Sequence, residues 1–187
     1  LIGCASSGGR TPQTFSAGAA ADLPPGVEYT SLDPRELTGE LGREPWEFAT
    51  FEGWAISTPN YRICTTVQHE TIVDEIPLFL EHALLRYRTE LGDLPAPKRR
   101  METFMFGDRR QWSAKTKQML PDEAASLDNL GRGGFTTRGI AVLYFIDRNR
   151  RSRDTFVIAA HEGWHQYTQC TFANPLPIWL EEGIATY

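Results

Sequence analysis

The chain has 187 residues, 41% of them hydrophobic, and a formal net charge of −5. That is enough apolar matter for one core and the wrong charge sign for a nucleic-acid partner. No apolar run approaches the ~20 residues that a membrane-spanning helix requires.

The chain opens on Leu1-Ile2-Gly3-Cys4, followed by a Thr/Pro/Ser/Ala/Gly stretch to about Pro25. The first four residues resemble a bacterial lipobox, with Cys4 as the lipidation site. The low-complexity stretch cannot build a core, so 1–25 is expected to be a flexible tether and 26–187 the folded domain. The resemblance implies an extracytoplasmic lipoprotein that meets the membrane through its N-terminal lipid anchor alone.

From 46 to 66 the chain reads as extended. Segments 48–51, 54–58 and 61–66 are strand-like, with a turn at Pro59-Asn60. The segment 73–91 predicts a helix whose apolar stripe is Ile76, Leu78, Phe79, Leu80, Ala83, Leu84 and Tyr87, stopped by Gly92. His69 and His82 have no partner at ligand spacing and read as structural or exposed histidines. A strand at 101–106 and a helix at 109–120, stopped by Pro121, follow.

Segment 130–135 is glycine-rich but lacks the G-K-[ST] context of a phosphate loop, and so reads as a flexible turn. Segment 139–146 is the strongest strand pattern in the chain. The basic run at 148–153 is expected to solvate the loop that enters the next helix. With Cys4 assigned to lipid, Cys64 and Cys170 remain, either as a disulfide in an oxidising compartment or as two separate buried thiols.

The next helix carries the chemistry. Asp154 or Thr155 is a suitable cap, residues 156–160 are apolar, and no proline intervenes before Pro175. His161 and His165 lie four apart, so on a helix their imidazoles project from one face and can share a divalent ion. Glu162 completes the H-E-x-x-H pattern, in which the glutamate takes a proton from water activated by the metal. Zinc needs a third protein ligand and an open fourth position. Glu181 and Glu182 follow at a distance that suits a helix-turn-helix return, and periodicity does not choose between them.

The pairing of H-E-G-W-H-Q at 161–166 with P-I-W-L-E-E-G-I-A at 177–185 resembles the gluzincin metallopeptidases, and among them the peptidase-MA-like bacterial families. The resemblance implies an α+β, zincin-like domain with a mixed sheet packed on helices. It also implies one Zn2+ per chain held by His161, His165 and Glu182, Glu162 as general base, and a peptide or protein substrate. It implies further that the strand at 139–146 lies at the sheet edge and pairs with extended peptide. Two features depart from the family's pattern. Tyr187 stands too close to Glu182 to match the usual oxyanion donor, and Thr186 stands where a carboxylate orienting a histidine would be expected. A non-catalytic lipoprotein that keeps the zinc site and binds peptides is the alternative reading.

Overall fold

The computed structural model describes residues 41–129, 133–146 and 153–186. Cys4 and the tether, residues 130–132 of the glycine-rich segment, most of the basic run and Tyr187 lie outside the described residues. In chain order the elements are β1 (Arg43–Phe48), β2 (Phe51–Ser57), β3 (Tyr61–Thr65), α1 (Glu70–Glu90), β4 (Met101–Phe106), α2 (Arg109–Met119), α3 (Ala124–Asn129), β5 (Gly134–Thr137), β6 (Ile140–Tyr144), α4 (Arg153–Thr171) and α5 (Ile178–Ala185). The fold is α+β, built on one mixed sheet in the order β1-β2-β3-β4-β6-β5. Strands β3, β4 and β6 run parallel, while β2 and β5 run against their neighbours.

Alternation along the strands divides the interior into two cores. Tyr61, Ile63, Met101, Met105 and Leu143 face α1 and α4 on one side. Cys64, Phe104, Phe106, Phe135 and Val142 face Trp112 of α2 on the other. Ile56, Ile63, Ile76 and Leu80 are at most 1% exposed, and burying a side chain of this kind contributes roughly 1.5–3 kcal/mol. Cys64 and Cys170 are both free, buried thiols on opposite faces of the sheet, so the disulfide option is excluded.

Several local expectations change. Residues 48–51 do not form one strand: Phe48 ends β1, Phe51 opens β2, and Ala49 takes a positive φ of 55° in the turn between them. No glycine, asparagine or aspartate marks that turn in the sequence. Helix α1 starts at Glu70, earlier than expected, and Leu78 of the proposed stripe is exposed while the carboxylate of Glu81 is fully buried. Thr155 does not cap α4; its hydroxyl accepts from the Ile146 N–H at 3.0 Å, tying the end of β6 to the first turn of the helix. His69 flanks α1 without capping it through its side chain, and His82 is exposed, as structural readings of both require.

The largest correction concerns the sheet edge. β6 lies between β4 and β5 and pairs with both, so its backbone is not free for peptide. Residues 134–137 of the segment read as part of a turn and its continuation form β5 instead, which folds back outside β6 through Arg138-Gly139. Both turn residues have positive φ, 53° and 75°, as a two-residue hairpin with the twist of its strands demands.

Candidate metal centre

Helix α4 packs on the sheet through a polar seam. Gln166 donates to the Glu102 carbonyl at 2.6 Å and the Gly139 carbonyl at 3.1 Å, and accepts from the Thr103 hydroxyl at 3.2 Å. Gln169 accepts from the Gly139 N–H at 2.8 Å. These bonds fix the rotation of α4, so Glu162, one turn before Gln166, turns towards β5. His161 and His165 then lie along the flank of the helix that meets α5. Gly163 serves the opposite contact, since a Cβ there would stand 3.0 Å from the Tyr87 hydroxyl. That hydroxyl donates to the Ala160 carbonyl at 2.6 Å and locks α1 on α4.

The chain turns after Thr171 and returns as α5, bringing a carboxylate to each histidine. His165 Nδ1 faces Glu181 Oε1 at 3.1 Å, and the Thr168 hydroxyl donates to the same oxygen. His161 Nδ1 faces the Ala185 carbonyl at 3.2 Å. Both partners are acceptors, an arrangement that matches the tautomer with its proton on Nδ1 and its lone pair on Nε2. The two Nε2 atoms are 3.2 Å apart. Glu182 brings Oε2 to 3.7 Å from His161 Nε2 and Oε1 to 3.8 Å from His165 Nε2.

The spacing fits a metal ion. A tetrahedral ion at about 2.0–2.2 Å from its ligands keeps them roughly 3.3–3.6 Å apart. The distances from Glu182 are too long for hydrogen bonds and suit ligands about a common centre. His161, His165 and Glu182 thus form a group that could hold a metal ion, with all ligand atoms within 4.8 Å of one another. The His165 side chain is 12% exposed and that of Glu182 51%, so the group is anchored on one side and open on the other.

No family model, curated protein or solved structure matches the chain.

Glu162 is buried between α4 and β5, and its carboxylate accepts from the Thr136 hydroxyl at 2.8 Å. Burial pushes the Glu162 carboxyl above its ordinary range. The Thr136 hydrogen bond and the His161 and His165 rings pull it down, and Glu182 pushes it up further.

The two adjacent glutamates therefore divide the work: Glu182 faces the space between the Nε2 atoms and Glu181 orients His165. The carboxylate that the sequence lacks at Thr186 is supplied five residues earlier, while the Thr186 hydroxyl lies 2.9 Å from the Glu182 carbonyl as a helix end. Thr136 was not legible beforehand, because nothing in the sequence marks a threonine outside the helix as a partner of the H-E-x-x-H glutamate.

Proposed function

We propose that the protein is a zinc metallopeptidase of gluzincin type on a zincin-like scaffold, hydrolysing peptide bonds outside the cytoplasm while tethered to the membrane by lipid on Cys4. The supporting observation is the convergence of His161 Nε2, His165 Nε2 and the Glu182 carboxylate beside a buried carboxylate from the same helix. Zinc held by those three residues would supply a Lewis acid and lower the pKa of the water that attacks.

The chain's own residues do the rest. Glu181 and the Ala185 carbonyl hold both imidazoles in the tautomer that offers Nε2. Glu162 accepts one proton from water as the oxygen–carbon bond forms, and returns it to the amide nitrogen as the carbon–nitrogen bond breaks. Proton and atom counts balance without another reactant. Strand β5 ends the sheet among the described residues, and its outer edge offers an extended peptide a place to pair beside Glu162.

Elemental analysis of zinc-replete protein tests the reading. One zinc per chain is expected in wild type and in Glu162→Gln, and none in His165→Ala or Glu182→Ala. Wild type should cleave a random peptide library, with a loss of roughly 10²–10⁴-fold in Glu162→Gln. Wild type that takes up no zinc would sink the proposal.

A further inference from the structure

We infer that Thr136 is the positioning residue for Glu162, and that it couples the general base to the edge of β5 on which an extended chain would pair. The inference rests on the metallopeptidase reading above and adds a residue to it. The Thr136 hydroxyl lies 2.8 Å from Glu162 Oε2 and 3.0 Å from the Glu162 carbonyl oxygen. Among the described residues, no other side chain donates to that carboxylate. The carboxylate of a glutamate that is only 7% exposed cannot lack a donor cheaply, so the orientation of Glu162 depends on this one hydroxyl.

The bed beneath Glu162 is also made by β5. Gly134, two residues earlier and on the same face, has no side chain, and a Cβ there would stand 3.2 Å from Glu162 Cγ. The stem of the glutamate thus passes over a bare glycine and its oxygen ends on Thr136.

The backbone of Thr136 looks the other way. Across the two-residue turn, Thr137 and Ile140 form the closing pair, and Thr136 is opposite Ala141. The Tyr144 N–H donates to the Gly133 carbonyl at 3.0 Å, which fixes the phase of the ladder: residues 133, 135 and 137 bond inward to β6. The N–H and C=O of Thr136 therefore point out of the sheet, on the side where no strand among the described residues pairs with β5. One residue presents its backbone to an incoming strand and its side chain to the base. A peptide that pairs there orders Thr136, and through it the Glu162 carboxylate, before water attacks the scissile carbonyl.

The test uses Thr136→Val, which keeps the shape and removes the hydroxyl, and Thr136→Ser, which keeps the hydroxyl. Zinc-loaded proteins are assayed on a quenched fluorescent peptide chosen from a random library for cleavage by wild type. The valine variant should bind one zinc per chain and lose about 10–100-fold in kcat with KM within a few-fold, and the serine variant should recover most of that loss. In metal-free protein, urea midpoints of Thr136→Val, Glu162→Met and the double variant should be non-additive, because the pair is in contact. Additive midpoints, or an unchanged kcat in the valine variant, would overturn the inference. A wild type that binds zinc and cleaves nothing would instead overturn the metallopeptidase reading, and the metal-free cycle would still report whether the contact exists.

Discussion

Adjacent glutamates with separate tasks are the sharpest feature at the scale of single residues. Glu182 faces the two Nε2 atoms, while Glu181 meets His165 Nδ1 and the Thr168 hydroxyl. Removing each should therefore have a different effect. If the proposed zinc centre is right, Glu182→Ala takes away one of its three ligands and is expected to abolish stable zinc binding. Glu181→Ala leaves the three proposed ligands but frees the His165 ring, and zinc affinity should fall about 10–100-fold with stoichiometry kept at saturation. Titration against a competing chelator separates the two, and equal losses in both variants would contradict the division.

At the scale of elements, the site depends on contacts that hold helices to the sheet at a fixed rotation and height. Gln166 and Gln169 do this for α4, and Tyr87 ties α1 to it. A comparable clasp holds α1 to the turn between β2 and β3. The fully buried Glu81 carboxylate accepts from the Thr58 hydroxyl at 2.5 Å, the Asn60 N–H at 2.8 Å and the Asn60 side-chain amide at 2.8 Å. Glu81→Ala would leave those donors buried and unpaired. We expect it to cost on the order of 3 kcal/mol, seen as a lower urea midpoint, without changing zinc affinity. A midpoint within error of wild type would mean that the clasp holds nothing.

For the molecule as a whole, the two cores set how stability responds to alkali. Burial pushes the Cys64 thiol up to about 11, with smaller opposing effects from Arg62 and Lys115. Burial also raises the Tyr61 and Tyr87 hydroxyls. In the unfolded chain the Cys64 thiol ionises near 9.0, so between there and about 11 the unfolded state holds fewer protons than the folded one. Stability contributed by the neutral thiol is therefore complete below pH 9 and declines as pH rises towards 11, with the tyrosines adding to the decline. Urea midpoints should fall between pH 8.5 and 10.5, less steeply in Cys64→Val. A midpoint that rises across that range would contradict the burial argument.

The helix that carries His161, Glu162 and His165, and the strands at 61–66 and 101–106, could be read from residues in order, because each rests on short-range periodicity. The choice between Glu181 and Glu182 could not be made from periodicity, since it depends on how α5 rotates against α4. The edge position of β5 was also hidden: four residues including a glycine carry little strand signal, and only pairing with β6 makes them a strand. Thr136 and Glu81 were invisible for the same reason, as each is defined by a partner more than twenty residues away. Local sequence determined which groups could do chemistry; long-range packing decided which of them face one another.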